Sequence, residues 1–422
     1  MADRPGARAL GWVALVAAVV ASAPPAGAAA PSPLKVAYSE AAPFPVTALD
    51  AGATTTVLAG REGRVAVIRT STGLLAWERR GGAAARVAFA GDVVALVAAA
   101  RVDVYRRTVG TRAWGRALDC ADAASCRERV VLADPSGVYV ASGGRVQDAV
   151  MRYDAATGER RWSRPAAVDH PRRAIAGEGW VAFEEGNPPF ALAFVDLHTG
   201  AVRGRWQATY QGAPRPMPVL SADGARLVAA DLRPLGALAR VALVDERGGE
   251  LVGTVLSRPA GADNDPITSV FMAQRWIGFV PDPAAGKGIL AVADLTERDP
   301  LRSLPVDTFR APLPRGSALV LWRGEASRAV VWAMDPASPA RPLWTTKVPT
   351  SSEDPGVALA GRWLVVVDPT TPVRVTVVDA DTGARGAALP LVAASQAQVS
   401  AAGAAGSGVV FALGGTVVGL MP

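Results

Sequence analysis

The chain has 422 residues, of which 50% are hydrophobic, and a formal net charge of +6 at neutral pH. A large buried core is therefore expected, and 43 glycines with 33 prolines indicate many short strands and turns. The basic residues are nearly all arginines spread singly along the sequence, without the cluster that nucleic-acid binding requires, so nucleic acid is not expected as a partner.

The N-terminus has the pattern of an export signal. A basic start precedes an apolar run from Ala9 to Ala23, which is shorter than a membrane-spanning helix. The small residues Ala26–Ala28 form a cleavage site, so residues 1–28 are predicted as a signal peptide and residues 29–33 as a flexible lead. The mature protein would be periplasmic or secreted, with no transmembrane segment and no lipoprotein cysteine. An uncleaved N-terminal anchor is the alternative.

The two ends of the remaining chain each hold an unpaired strand. Leu34–Tyr38 alternates apolar and polar residues and has no hairpin partner beside it. Gly408–Leu420 is predicted as a second and third strand with no fourth strand after them. Pairing of Leu34–Tyr38 with Thr416–Leu420 would supply the missing strand and close a ring of blades.

One motif recurs between these ends. In its clearest copy a strand ends at Asp154, whose side chain is expected to accept a backbone hydrogen bond two residues on. Gly158 supplies the left-handed residue of the turn, and the next strand carries Trp162. Weaker copies pair a turn with a following tryptophan: Gly73 with Trp77, Gly110 with Trp114, Gly200 with Trp206, and the turn at Asp335–Ser338 with Trp344. The copy at Gly383 keeps the turn and lacks the tryptophan.

Successive turns are separated by about 40–50 residues, a spacing typical of β-propeller blades. Period-two strands without a long helical stripe argue against a solenoid of helix pairs. We predict one all-β domain at residues 34–422, a propeller of about eight four-stranded blades, with nine or seven as alternatives. The unit around Val102–Trp114 is the candidate for an irregular one. In the third unit the strands are predicted at Arg129–Ala133, Gly137–Ala141, Val150–Asp154 and Glu159–Ser163.

From Val46 to Leu420 the sequence resembles the pyrroloquinoline-quinone-like (PQQ-like) propeller repeat family, whose units carry a strand ending in Asp, a Thr-Gly turn and a Trp. That family includes quinoprotein dehydrogenases and the propeller subunit of the outer-membrane β-barrel assembly machinery. The orphan first strand and the C-terminal strands resemble the latter. The resemblance implies that the tryptophans pack between blades, against the alternative of a sugar-stacking surface. Structural roles are therefore expected for Trp77, Trp114, Trp162, Trp206, Trp344, Gly73, Gly158, Gly200 and Gly383.

Cys120 and Cys126 are the two cysteines of the chain and lie in one polar segment. In an oxidising exported setting we expect them to form a disulfide that closes a small loop. A metal site is the alternative, but it would want more ligands, and the two histidines are His170 and His198. The family's dehydrogenases hold their quinone beneath a disulfide of adjacent cysteines, together with a calcium ion, whereas these two cysteines are not adjacent.

We identify no catalytic, cofactor-binding or metal-binding residue. Asp263-Asn264-Asp265 lacks the rest of a calcium-binding loop. Glu184 and Glu185 are neighbours in a strand and would face opposite sides. The favoured hypothesis is an exported, non-enzymatic propeller that binds a protein or cell-envelope component without a cofactor. The alternative is a propeller enzyme, a lyase, hydrolase or dehydrogenase, whose site is assembled from several blades.

Overall fold

The structure is a computed structural model, and the residues that it describes start at residue 34. The predicted signal peptide and lead lie outside the described residues. Within 34–422 it leaves out residues 83–84, 99–100, 119–127, 144–148, 166–173, 186–190, 208, 211–212, 215–218, 224–225, 231–237, 258–266, 274–275, 282–288, 295–301, 306–312, 339–340 and 392–397.

The described residues form nine four-stranded antiparallel sheets, each of which is one blade of a β-propeller. The second and third strands of most blades are buried along nearly their whole length because neighbouring blades cover both faces. These strands are accordingly rich in valine, leucine and alanine, the composition of strands buried on both faces.

The strands of the first four blades follow an initial strand, β1 (Lys35–Ala41). Blade one holds β2 (Val46–Ala51), β3 (Thr55–Gly60), a 3-10 turn at Arg61–Gly63, β4 (Arg64–Arg69) and β5 (Leu75–Arg80). Blade two holds β6 (Arg86–Ala90), β7 (Val93–Ala98), β8 (Arg101–Arg106) and β9 (Arg112–Ala117). Blade three holds β10 (Glu128–Asp134), β11 (Gly137–Gly143), β12 (Ala149–Asp154) and β13 (Arg160–Pro165). Blade four holds β14 (Ala174–Gly177), β15 (Trp180–Glu185), β16 (Ala191–Asp196) and β17 (Val202–Gln207).

A short hairpin, β18 (Thr209–Tyr210) and β19 (Ala213–Pro214), precedes the remaining blades. Blade five holds β20 (Val219–Asp223), β21 (Arg226–Ala230), β22 (Leu238–Asp245) and β23 (Glu250–Ser257). Blade six holds β24 (Ile267–Ala273), β25 (Trp276–Pro281), β26 (Ile289–Asp294) and β27 (Arg302–Pro305). Blade seven holds β28 (Leu313–Arg315), β29 (Ala318–Glu325), β30 (Arg328–Met334) and β31 (Trp344–Pro349). Blade eight holds β32 (Gly356–Ala360), β33 (Trp363–Asp368), β34 (Val373–Asp379) and β35 (Leu389–Leu391). Blade nine holds β36 (Val399–Ala405), β37 (Gly408–Leu413), β38 (Thr416–Met421) and, outermost, β1.

The ring closes through its terminal strands. β1 runs antiparallel to β38, with Val36 opposite Leu420 and Tyr38 opposite Gly419. The predicted pairing is confirmed, and it extends as far as Ala41 opposite Thr416. Closure within one sheet joins the last blade to the first strand of the chain, so the ring has no open end.

Nine blades is one more than the count of eight that the sequence favoured, and it lies at the upper limit of the predicted range. The expectation that the unit around Val102–Trp114 is irregular is wrong, because that unit contributes two strands to a complete blade two. The unit is short because its connections are tight: a two-residue turn at Gly91-Asp92 joins β6 to β7, and Ala98 pairs directly with Arg101.

The first strand of each blade contacts the first strands of neighbouring blades around most of the ring, so these strands lie innermost. The hydrophobic core is divided among the junctions between blades. At the junction of blades nine and one, for example, Tyr38 and Val410 pack with Phe44, Val46 and Leu58.

In the described part of the chain, no helix has the length and apolarity to cross a membrane.

Candidate functional site

The turn between β12 and β13 is stabilised by its own side chains. Asp154 Oδ1 accepts the backbone N–H of Ala156 at 3.0 Å and that of Thr157 at 2.9 Å. Gly158 closes the turn with φ at +69° and donates its N–H to the Asp154 carbonyl at 2.9 Å. Arg161 Nη2 lies 2.8 Å from Asp154 Oδ2. The Arg161 guanidinium and the Thr157 N–H hold the pKa of Asp154 well below its usual range.

Four of the fourth-strand tryptophans, Trp77, Trp114, Trp162 and Trp344, cover the corresponding turn of the next blade. A Cβ added to Gly110 would lie 2.4 Å from the ring of Trp77, so the ring rests directly on the glycine. Trp77 Nε1 donates to the carbonyl of Arg107, three residues before the glycine, at 2.8 Å. The relation recurs for Trp114 with Gly158 and Ala155, for Trp162 with Gly200 and Leu197, and for Trp344 with Gly383 and Ala380.

These contacts place the predicted structural residues at blade junctions. Trp162 is 8% exposed and Trp206 is buried to a similar degree, whereas Trp344 is half-buried. Gly73 lies in the turn of blade one and contacts Tyr38 of β1. Rings covered in this way have little surface on which a sugar could stack.

Sequence reasoning missed the residues that lie two positions after the tryptophans. Arg79 Nη2 donates to the carbonyl of Gly110 at 3.1 Å, and Arg116 Nε donates to the carbonyl of Gly158 at 3.1 Å. Each arginine therefore joins its own blade to the turn of the next one. A repeated Trp-x-Arg pattern, visible from Trp77 and Trp114 onward, was the signal that could have found them.

Other charged groups also hold neighbouring blades together. Arg107 of blade two is 7% exposed, and its guanidinium lies 2.6 Å from Asp50 Oδ2 of blade one. Its Nη2 also donates to the carbonyl of Thr55 at 2.6 Å. The pair of Arg203 and Glu246 joins blades four and five at 2.5 Å. A buried arginine retains its charge, and here carboxylate and carbonyl oxygens compensate it.

In the described part of the chain, one cluster of bonded polar side chains that could be taken for a catalytic constellation lies within blade three. Tyr139 Oη donates to Asp134 Oδ2, and Arg152 Nε donates to Tyr139 Oη at 3.0 Å. Asp134 also accepts the N–H groups of Ser136 and Gly137 at the turn after β10. Burial and the Asp134 carboxylate raise the pKa of Tyr139, so it stays protonated at neutral pH. The members come from one blade and bond to one another, which is the arrangement of a structural cluster.

The remaining predicted residues do not come together in the described part of the chain. His198 is exposed in a turn, and Glu184 is buried in β15. Cys120 and Cys126 lie outside the described residues, as do His170 and Asp263–Asp265. Among the residues that the structure describes, no three His, Cys, Asp or Glu side chains lie close enough to hold a metal.

The profile of the family named outer membrane protein assembly factor BamB matches residues 37–254, just over half of the chain. No curated protein matches the sequence. The crystal structure of the computationally designed Ika8 protein superposes with a TM-score of 0.51 at 14% identity, over 83% of this chain and 98% of Ika8. This likeness supports the overall fold.

Two natural proteins superpose less closely. BamB from Moraxella catarrhalis gives a TM-score of 0.46 at 12% identity, over 93% of this chain and 98% of that one. The quinohemoprotein alcohol dehydrogenase ADHIIG from Pseudomonas putida HK5 gives 0.47 at 14% identity, over 92% of this chain and 76% of that one. Neither likeness is close enough to assign a function. The profile match, however, spans more than half of the chain, so the chain belongs to the outer membrane protein assembly factor BamB family of PQQ-like β-propellers.

Proposed function

We propose that the protein is an exported, non-enzymatic propeller that binds a protein partner of the cell envelope. The proposal rests on one observation: the charged side chains form contacts that hold the fold together. The described arginines and aspartates with the strongest contacts, such as Arg107, Arg161 and Arg203, bond to turns and to neighbouring blades. A rigid ring held together in this way presents its outer strands and loops to a partner.

The location rests on sequence. The predicted signal peptide at residues 1–28 would deliver residues 29–422 to the periplasm or the medium, and the family's name supports an envelope role. N-terminal sequencing of protein from fractionated cells tests this step. A mature chain that begins at Ala29 and separates with the periplasm or the medium is expected. An intact N-terminus in the membrane fraction would favour the anchor.

Binding is tested with the tagged full-length protein in its native host. After chemical crosslinking, quantitative mass spectrometry should find one envelope protein enriched in proportion to the tagged chain. The same preparation is scanned for absorbance, analysed for metal and assayed for quinone-dependent oxidation of alcohols and sugars. A stoichiometric chromophore, or turnover that a chelator abolishes and calcium restores, would replace the proposal with a propeller dehydrogenase.

A further inference from the structure

Leu74 and Leu75 depart from the repeat in which they lie. They follow the turn glycine of blade one and are 59% and 53% exposed. Other blades make the same turn with smaller, polar or charged residues at these two positions, so the fold does not require two leucines there. The corresponding residues are Thr111-Arg112 in blade two, Glu159-Arg160 in blade three, Ala201-Val202 in blade four and Ala384-Arg385 in blade eight.

Val109, in the turn of blade two, is a second departure, and it is 61% exposed. It directly precedes Gly110, where blades three, four and eight carry a threonine. In blade three that threonine, Thr157, bonds to Asp154 and supports the turn. An exposed valine adds no such support. Leu74, Leu75 and Val109 are therefore apolar side chains that the fold neither buries nor requires for these turns.

The same two blades hold the positive charge of the protein. Between residues 34 and 118 there are eleven arginines and one lysine against six carboxylates, which leaves +6, the net charge of the whole chain. The rest of the chain sums to zero. The excess of arginine therefore lies in the part of the chain that also carries the exposed Leu74, Leu75 and Val109.

Five of these arginines are exposed and have no carboxylate partner among the described residues: Arg61, Arg69, Arg79, Arg86 and Arg116. Two of them, Arg69 and Arg79, adjoin the exposed apolar side chains. Arg69 adjoins the leucines, since its backbone N–H donates to the carbonyl of Leu74 at 2.9 Å. The Arg79 guanidinium is held 5.8 Å from the Trp77 ring and 5.4 Å from the Tyr105 ring. Its Nη1 and Nη2 donate to the carbonyls of Glu78 and Gly110, and the guanidinium also bonds to the Tyr105 hydroxyl, so these three acceptors leave part of its five N–H groups free. Arg79 is therefore fixed in place with donors left for an anion.

Together these residues form one strip, which we call the blade-one edge: Arg69, Leu74, Leu75, Arg79 and Val109. Leu75 and Arg79 lie on β5, about 13 Å apart at the rise of a strand. Arg79 in turn contacts Gly110, the neighbour of Val109. The strip therefore follows the outermost strand of blade one and ends on the turn of blade two.

We propose that the blade-one edge binds an extended acidic segment of a protein partner, whose carboxylates pair with Arg69 and Arg79 and whose apolar side chains cover Leu74, Leu75 and Val109. The inference rests on the proposed binding function and specifies the chemistry of the partner. A protein segment fits better than an anionic membrane because carboxylates interrupt the basic surface: Glu62 pairs with Arg80, Glu78 with Arg64 and Asp92 with Arg106. A membrane is attracted to a continuous positive face, whereas separated arginines suit carboxylates at defined spacing.

The test uses the full-length protein and three probes: a fluorescent peptide of alternating glutamate and valine, the same peptide with lysine in place of glutamate, and phosphatidylglycerol vesicles. The glutamate peptide should bind, and the other two probes should not. Leu74→Thr with Leu75→Thr, and separately Arg79→Gln, should each weaken binding about tenfold. The matched controls are Leu343→Thr, at an equally exposed leucine of blade seven, and Arg385→Gln, at an exposed arginine that also bonds to a neighbouring blade. Melting temperatures of all variants verify that they are folded.

Equal binding of the two peptides, binding of vesicles, or equal losses in the controls would each overturn the inference. The same variants separate it from the proposed function when they are tagged and crosslinked in the native host. If the unmodified protein captures an envelope partner and the edge variants capture it equally well, the inference fails and the binding function stands. If the unmodified protein captures no partner, the binding function itself fails.

Discussion

The ring of Tyr38 packs on Gly73: a Cβ added to that glycine would lie 2.4 Å from the tyrosine ring. Tyr38 lies on β1, the fourth strand of blade nine, and Gly73 lies in the turn of blade one. The pair therefore repeats, at the junction where the ring closes, the relation of Trp77 to Gly110 at the next junction. One difference remains, because Tyr38 Oη is buried with no hydrogen-bond partner among the described residues, whereas the Nε1 of Trp77 donates to a carbonyl.

That difference leads to the first prediction. Tyr38→Phe keeps the ring on Gly73 and removes a buried hydroxyl without a partner, so the free energy of unfolding should stay equal or increase. Tyr139→Phe is the matched control, since the Tyr139 hydroxyl bonds to Asp134 and Arg152, and it should lose about 1–3 kcal/mol. Denaturant titration of both variants measures the changes. A loss at Tyr38→Phe as large as that of the control would show that Tyr38 Oη has a partner in solution.

Ring closure gives the second prediction. Deleting Gly408–Pro422 removes β37 and β38 and leaves β1 without a sheet, so the melting temperature should fall sharply and the protein should aggregate through its open edges. Deleting Pro422 alone, which follows the last strand, is the control and should change little. Scanning calorimetry with light scattering measures both effects. A truncated protein as stable as the control would mean that the ring does not depend on closure.

The third prediction concerns a tryptophan and the glycine beneath it. Trp162→Ala should cost about 3–5 kcal/mol, since the ring is 8% exposed and its loss leaves a cavity. Gly200→Ala should cost more than Gly406→Ala. Both glycines have positive φ, but at Gly200 the new Cβ would meet the Trp162 ring at 2.5 Å, while no described atom lies within 4 Å of a Cβ at Gly406.

A double-mutant cycle isolates that contact. With Trp162→Ala already present, the cost of Gly200→Ala should fall to that of Gly406→Ala. Costs that simply add would mean that the ring and the glycine do not interact.

Much of this fold could be predicted from the sequence because the repeat has local signals. Asp154, Gly158 and Trp162 lie within nine residues of one another, and turn chemistry with alternation suffices to find them. The pairing of the strand that holds Tyr38 with the C-terminal strand could be predicted because both lacked a neighbour, but the contact of its ring with Gly73 could not. The exposure of Leu74 and Leu75 could not be predicted at all, because apolar residues after a turn are compatible with burial. The disulfide of Cys120 and Cys126 stays a prediction.

The fourth prediction is a dependence on pH. The folded-state pKa of Asp154 lies below its ordinary value of 3.8, first because of Arg161 and then because of the Thr157 N–H. The carboxylate therefore stabilises the fold fully above about pH 4, and this contribution is lost as the pH falls through the lower, folded-state pKa. Asp154→Asn keeps an acceptor oxygen but not the charge, so the variant should be less stable at pH 7. In acid, the free energies of unfolding of Asp154→Asn and of the unmodified protein should become similar.

Urea unfolding from pH 7 to pH 2 measures that convergence. Asp335→Asn, at a turn aspartate that accepts the N–H of Ala337 and has no arginine partner among the described residues, is the control. If the difference in free energy of unfolding between Asp154→Asn and the unmodified protein stayed constant with pH, the role of the charge would be contradicted.

The fifth prediction tests the central claim, that the propeller holds an envelope partner at the blade-one edge. Benzoylphenylalanine is incorporated at position 75 in the native host, and separately at position 343, the equally apolar but distant exposed leucine. On irradiation, position 75 should give one discrete crosslinked product that contains an envelope protein, and position 343 should give none. Arg79→Gln should reduce the yield at position 75 without reducing the amount of protein. No adduct at position 75, or the same adduct at both positions, would contradict the claim.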